Sequence, residues 1–180
     1  MSRRVYALGA CVTMLAGCNP QAPKSVKTPA PAHAHPATPP PLHITGQGTQ
    51  GRPVRIIQQN QNRIEYELVT KSYESRGAQG RERAVARDAT ITFHDRKGVT
   101  LTARSPQAVL DERANTLTLI DDVHARTSSG ITLTCDRLVY DRNEQLFHGY
   151  GNVVIINANG FRGTGSKFDS DISLSHVRMQ

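Results

Sequence analysis

The chain has 180 residues, of which 37% are hydrophobic and 5% aromatic, and it contains no tryptophan. It has no stretch of about 18 apolar residues, the minimum for a membrane helix, which excludes a polytopic membrane protein. With 22 basic and 15 acidic residues the formal charge is +7. A basic balance favours a polyanionic partner or surface but does not identify one.

Residues 1–17 predict a secretory signal peptide. Two arginines precede an apolar run from Val5 to Gly17, and these roughly thirteen residues are fewer than the twenty or so that cross a bilayer. The sequence Leu15-Ala16-Gly17-Cys18 resembles the lipobox of bacterial lipoproteins, in which the cysteine thiol accepts diacylglycerol. We therefore expect lipidation at Cys18, which would anchor the mature chain to a membrane outside the cytoplasm. The alternative is an ordinary signal peptide beside an incidental Cys18.

Residues 18–44 predict a disordered linker that begins at the lipidated cysteine. Eight of the ten prolines lie between Asn19 and Leu42, interleaved with Ala, Thr and His. A segment of this composition buries too little apolar surface to fold. Its three histidines have no carboxylate or cysteine beside them, so we expect no metal and no other cofactor. The folded part is predicted to be one domain over residues 45–180.

A repeat of about 30 to 32 residues organises the rest of the chain. In each copy a hydrophobic residue stands seven positions before a glycine, and a run that alternates apolar residues with Thr, Ser or Arg follows. The pairs are Ile91 with Gly98, Val123 with Gly130 and Val153 with Gly160. Period-two alternation between turn signals predicts antiparallel strands of about five to seven residues with one apolar face.

Other segments lead to further predictions. Val54 to Tyr73 alternates less cleanly and predicts one more strand pair, whereas Arg76 to Arg87, rich in Gly and Arg, predicts a solvated loop. An aspartate recurs after a hydrophobic pair in every copy, which predicts a role in turns for Asp111, Asp141 and Asp169. Cys135 lies in an alternating run and is predicted to be a small buried hydrophobic residue.

A sheet with one apolar face must cover that face, either by folding over itself or by closing into a barrel. Stacked copies of one unit favour an elongated shape. The predicted fold class is therefore all-β, an elongated antiparallel β-jelly-roll. Its mostly aliphatic inner face is predicted to be lined by Ile91, Phe93, Val99, Leu101, Leu110, Leu117, Leu119, Val123, Ile131, Leu133, Tyr140, Leu146, Val153, Ile155, Phe161, Phe168 and Leu174.

The repeated scheme resembles a known family. In the second copy Gly130-Ile131-Thr132-Leu133 precedes Leu138-Val139-Tyr140-Asp141, and the third copy contains Gly160-Phe161-Arg162-Gly163-Thr164-Gly165 before Phe168-Asp169. These residues resemble the LptC family of periplasmic lipopolysaccharide-export proteins, together with the related LptA and OstA-like domains. The resemblance covers about residues 50–180.

The resemblance implies a function in lipopolysaccharide transport. A protein of this family would take lipopolysaccharide from an inner-membrane ABC transporter, with LptB-, LptF- and LptG-like subunits, and pass it to an LptA-like protein. The acyl chains would lie in the apolar groove formed by the inner-face residues above. The LptA-like protein would add a strand at the C-terminal edge, for which Ile172 to Arg178 is the candidate. Contact with the transporter is expected from Val54 to Leu68.

Two questions stay open: how the chain is anchored and in which membrane. Family members usually carry an uncleaved transmembrane helix, whereas this chain has a lipobox. We expect a periplasmic protein anchored to the inner membrane. The outer membrane is the alternative, because Asn19 is not the aspartate that commonly retains lipoproteins at the inner membrane. The alternative function is a structural or other lipid-binding β-sandwich lipoprotein of the cell envelope. We expect no enzyme, because no Ser, His and carboxylate recur together. We expect no nucleic-acid partner, because the basic side chains interleave with no aromatic stacking platform.

Overall fold

A computed structural model describes residues 42–49, 51–78 and 80–180. These residues form eleven strands: β1 Leu42–Gln47, β2 Val54–Asn60, β3 Arg63–Thr70, β4 Ser72–Gly77, β5 Arg83–His94, β6 Thr100–Asp111, β7 Thr116–Thr127, β8 Thr132–Asp141, β9 Leu146–Ile156, β10 Arg162–Ser170 and β11 Arg178–Met179. The predictions for residues 1–17, for Cys18 and for the linker up to residue 41 lie outside the described residues. β1 begins at Leu42, ahead of the predicted start of the folded part at residue 45. The described residues contain no helix of the length and apolarity needed to span a membrane.

All the described strands belong to one antiparallel sheet. Its order is β1-β4-β5-β6-β7-β8-β9-β10-β11, while β2 pairs with β3 and β3 also pairs with β5. β5 therefore has two neighbours along one side, β4 beside residues 83–87 and β3 beside residues 90–93. The all-β antiparallel fold class is confirmed, and so is the strand pair predicted between Val54 and Tyr73.

The strands β5 to β10 bend near their middle. The backbone has positive φ at Asp88 (52°), Asp121 (62°), Asp122 (45°) and Asn152 (45°). The pairing register shifts at the same level of the sheet in β6, β7, β8 and β10. Irregularities of this kind bend a strand and increase its local twist. The bends divide the sheet into two halves along its whole length.

The predicted strands of five to seven residues are halves of these longer strands, and that prediction of length is wrong. β5, β6 and β7 each have 12 residues. In β5 the inward side chains are Ala84 and Ala86 before the bend, and Ala89, Ile91 and Phe93 after it. Because the alternation shifts by one residue at Asp88, the sequence pattern resembles two separate strands.

The prediction of a solvated loop over Arg76 to Arg87 is also wrong. β4 and β5 pair antiparallel here, with Ser75 opposite Ala84 and Tyr73 opposite Ala86. The inward positions Ser75, Ala84 and Ala86 are all buried. Small inward side chains produce little hydrophobic alternation, so this part of the sheet has a weak strand signal.

The predicted turns lie between the strands as expected. Gly98, Gly130 and Gly160 adopt φ of 81°, 91° and 82°, a conformation that favours glycine. Asp111 and Asp141 act in turns, because their Oδ1 atoms accept backbone N–H groups of the residues that follow them, at 2.9 and 2.8 Å. Asp169 does not: it lies within β10, and its Oδ1 is 2.7 Å from Nδ1 of His148.

The sheet folds over itself at the bends and forms two layers. In a flat sheet β5 and β8 would lie about 14 Å apart, three strand spacings. Yet the ring centroids of Phe93 on β5 and Tyr140 on β8 are 5.0 Å apart. The first layer contains β1, β4, β11 and the adjoining halves of β5 to β10. The second layer contains β2, β3 and the other halves of the same strands.

Candidate functional site

The interior between the two layers is apolar and filled. An aromatic cluster joins the layers: the Phe93 ring lies 4.8 Å from that of Phe147 and 5.9 Å from that of Tyr66, in tilted and edge-on arrangements. Burial raises the pKa of Tyr66 to about 12. Aliphatic side chains from both layers, such as Leu119 and Leu133, extend this core along the roll.

The structure buries most of the residues predicted for the inner face. The buried ones are Ile91, Phe93, Leu101, Leu110, Leu117, Leu119, Val123, Leu133, Tyr140, Val153, Ile155, Phe168 and Leu174. Val99 and Ile131 are half-buried at the rim. Phe161 is 73% exposed and does not pack into the interior.

Leu146 is the one predicted inner-face residue that lies on the opposite face. Phe147 pairs with Tyr140 and is fully buried, so Leu146 and His148 point outward from β9. Leu146 and Phe147 are adjacent, and either could be the inward hydrophobic residue of the repeat. The register of the pairing with β8 places Phe147 inward. Inner-face residues that the sequence analysis did not name include Tyr66, Leu68, Leu138 and Ile172.

A buried ionic cluster links the layers at the rim opposite the bends. Glu65 at the start of β3 accepts a hydrogen bond from the Tyr140 hydroxyl at 3.2 Å and lies 3.5 Å from Nη2 of Arg142. Arg142 also lies 3.6 Å from Glu112, and only 16% of its side chain is exposed. Burial raises the pKa of Tyr140, and the Glu65 charge raises it further. We call Glu65, Glu112, Tyr140 and Arg142 the rim cluster.

A cleft of about 210 Å³ opens beside the rim cluster, between the ends of the two layers. Tyr140, Ile64 and Ile172 form apolar parts of its lining, and Arg63, Arg96 and Lys97 stand around it. We call this the rim cleft. It is the place where the apolar interior approaches solvent beside positive charge.

The cations of the rim cleft are available to an anion. Arg63, Arg96 and Lys97 make no ion pair with any described residue. Three carboxylates also line the cleft, and each has other partners: Asp95 Oδ1 accepts the N–H groups of Lys97 and Val99, both at 2.7 Å, Asp171 accepts the Ser173 hydroxyl at 2.8 Å, and Glu65 belongs to the rim cluster. An anionic amphiphile could therefore place its charge here and its hydrocarbon against Ile64.

The segment predicted as a free C-terminal edge, Ile172 to Arg178, is not free in the structure. Ile172 and Leu174 are buried in the core. Arg178 belongs to β11 and pairs with Asp169 of β10. Among the described residues, the unpaired edges at this end are the outer side of the two-residue β11 and the first half of β10, residues 162–165, beside the exposed Phe161.

The structure thus defines an all-β roll made of one antiparallel sheet, with an apolar interior and a rim cleft that Arg63, Arg96 and Lys97 line. A family model described as lipopolysaccharide-assembly, LptC-related matches residues 52–180. The chain belongs to this LptC-related family, and its role is in lipopolysaccharide assembly and transport in the periplasm. No curated protein matches the chain in a direct comparison. The extent of the family match agrees with the resemblance over about residues 50–180.

Proposed function

We propose that the roll binds the acyl chains of lipopolysaccharide between its two layers and holds the phosphorylated sugars at the rim cleft. The observation that carries this proposal is that the rim cleft is lined both by residues of the apolar interior and by Arg63, Arg96 and Lys97, which form no ion pair with any other residue that the structure describes. Aliphatic side chains accept flexible hydrocarbon without directional bonds, and each buried methylene contributes about 0.8 kcal/mol. Phosphate groups favour the guanidinium groups of Arg63 and Arg96.

Because side chains fill the interior, this proposal requires that the two layers separate before acyl chains enter. The alternative, a structural or other lipid-binding β-sandwich lipoprotein, is favoured by the aromatic packing around Phe93. In that case the interior is a permanent core. The two functions differ in whether a ligand reaches Leu133 and Ile155, which are inward residues of the second layer.

Photocrosslinking in cells tests the proposal. A photoreactive residue in place of Leu133 or Ile155 should capture lipopolysaccharide, while the outward neighbours Thr132 and Val154 serve as matched controls. Crosslinks from the outward positions alone would contradict binding between the layers. Under the alternative function, Leu133→Asp unfolds the protein and no inward position captures lipid.

A second experiment tests the rim cleft. Replacing Arg63, Arg96 and Lys97 together by alanine should reduce capture of lipopolysaccharide from Ile155 by at least fivefold. A matched triple variant removes the same charge from exposed arginines elsewhere, at Arg104, Arg113 and Arg126. Equal losses in both variants would mean that net charge, and not the cleft, attracts the ligand.

We further propose contacts with an ABC transporter at one end of the roll and with an LptA-like protein at the other. The transporter contact is assigned to Val54 to Leu68, where Ile57 and Ile64 are exposed large hydrophobic residues. The LptA-like contact is now assigned to the β10 edge at residues 162–165, because an unpaired edge accepts a strand. Arg162→Pro should weaken binding of the LptA-like protein if the added strand pairs here.

Anchoring through lipid at Cys18 completes the proposed function, with the inner membrane as the expected location. Two or more acyl chains anchor a protein stably, whereas one chain binds marginally. Cys18→Ala should therefore release the processed protein from the membrane fraction. Unchanged membrane partitioning of that variant would contradict lipid anchoring.

A further inference from the structure

Residues 171–180, which follow β10, close one end of the apolar interior. Ile172 is 8% exposed and Leu174 is 3% exposed, and both belong to the core cluster. Val177 and Met179 pack against the same cluster. We call residues 171–180 the plug segment.

The plug segment contacts both layers at this end. Met179 pairs with Phe168 of the first layer. Its Cε also lies 3.2 Å from the position that a Cβ of Gly165 would take, and 4.0 Å from that of Gly163, both in the second layer. Because Gly163 and Gly165 have no side chains, the second layer alone leaves this end uncovered, and Met179 covers it.

The plug segment also occupies half of the β10 edge. Arg178 and Met179 pair with Asp169 and Phe168. Gln180 accepts the N–H of Ser166 at 2.9 Å and donates its own N–H to Lys167 at 3.0 Å. One short segment therefore covers the end of the interior and the half of the β10 edge that adjoins residues 162–165, the half that the next protein is proposed to use.

The plug segment is held less extensively than the strands beside it. β11 has two residues, whereas β8 and β9 have 10 and 11. The loop before β11 depends on Asp171, which accepts the N–H of Ser175 at 3.0 Å and the Ser173 hydroxyl at 2.8 Å. Leu174 adopts a φ of 53°, a conformation that a bulky side chain rarely takes. Short, locally held segments open more readily than central strands.

We propose that residues 171–180 are a plug that this chain inserts into its own lipid-binding interior and that must leave before lipid passes through the β10 end. This inference rests on the proposed function. When the plug segment leaves, it uncovers the end of the interior and the second half of the β10 edge together. Lipid passage then becomes available, and a strand added at residues 162–165 can extend along the whole of β10 at the same step. In the closed state, the end of the interior is occupied by the plug segment of the same chain.

A reversible disulfide between β10 and the plug segment, which we call the lock, tests this proposal. Asp169 and Arg178 are register partners, and facing residues of an antiparallel pair lie about 4.5 to 5.5 Å apart at Cα, within the range for a disulfide. The full chain carrying Asp169→Cys and Arg178→Cys, with a photoreactive residue at Ile155, is incubated with purified lipopolysaccharide. Oxidation should lower capture at least fivefold, and reduction should restore it. The matched control places cysteines at Thr102 and Arg126, register partners on β6 and β7 that stay together in both states.

The outcomes separate this inference from the proposed function. Equal capture by the oxidised lock, the reduced lock and the control would overturn the plug and leave lipid binding intact. No capture by any variant, including the chain without added cysteines, would overturn the proposed function and the plug together. Hydrogen exchange supplies a readout without lipid: amides of residues 172–180 should exchange at least tenfold faster than those of β8. Equal protection of the two segments would overturn the plug.

Discussion

The ring of Phe168 on β10 lies directly against the backbone of Gly149 on β9. The two residues are register partners, and a Cβ at position 149 would overlap Cε1 and Cδ1 of that ring. The ring therefore occupies the inward space that a side chain at position 149 would fill. This contact fixes the first layer next to the plug segment.

Gly149→Ala should destabilise the protein by about 1 to 3 kcal/mol, because the added methyl group must displace a buried ring. Urea unfolding measures the change. Adding Phe168→Leu should recover part of the loss, since the smaller side chain leaves room for the methyl group. Gly51→Ala is the matched control, because a Cβ there meets no atom within 4 Å. Equal effects of the two glycine substitutions would show that lost backbone freedom, and not the ring, is responsible.

Arg142→Ala should cost about 3 to 5 kcal/mol, because it leaves Glu65 buried without its cation. The exposed Arg113, in the turn after β6, provides the comparison, and its alanine variant should change stability by less than about 0.5 kcal/mol. Combining Arg142→Met with Glu65→Gln should restore much of the stability. If the double variant is as unstable as Arg142→Ala, the packing of the arginine stem matters more than its charge.

Acid should loosen the plug segment through Asp171. Burial alone would raise the pKa of this carboxyl, but hydrogen bonds from Ser173 and Ser175 outweigh burial and hold the pKa at about 2. Since the pKa in the folded state is lowered from 3.8, Asp171 stabilises the segment above pH 3.8 and loses this contribution as the pH falls towards 2.

The amide signal of Ser175 follows this transition, because that N–H donates to Asp171. It should shift between pH 4 and pH 2 in the unmodified protein and lose this transition in Asp171→Asn. Asp169→Asn serves as the control, because it removes a different carboxylate, which contacts His148 and not Ser175, and it should keep the Ser175 transition.

Cys135 should resist thiol reagents at pH 8. Burial raises the pKa of its thiol to about 12, so the reactive thiolate is scarce. Its Sγ donates a hydrogen bond to the carbonyl of Arg137 at 3.4 Å. Labelling of the mature folded chain should be slow and become complete in urea. A cysteine introduced at the exposed neighbouring Asp136 should react at once, and rapid labelling of both positions would contradict a buried Cys135.

The sequence predicts the turns and most of the inner face because both depend on local chemistry. Gly98, Gly130 and Gly160 are required by positive φ, and residues such as Leu117 and Leu119 alternate with polar neighbours. Local alternation fails where two apolar residues are adjacent, as at Leu146 and Phe147. There the pairing with β8 decides which residue points inward, and pairing is not a local property.

The bends and the plug segment depend on contacts between distant residues. Asp121 and Asp122 stand between two apolar runs and resemble the end of a strand, although the chain continues along the same strand. The β4 and β5 pair has small inward residues, such as Ala84, whose signal is weak. Ile172 and Leu174 form a short apolar pattern that fits an edge strand as well as it fits a plug. Only the position of Met179 over Gly165 distinguishes the plug from the edge strand.

The bends in β5 to β10 have a consequence for how such a protein can change in size. Because every long strand contributes one half to each layer, adding a strand lengthens both layers together by about 4.8 Å. The width between the layers is set by the bend and stays the same. Duplication or loss of one repeat copy would therefore alter the length of the apolar interior along the roll without altering its cross-section.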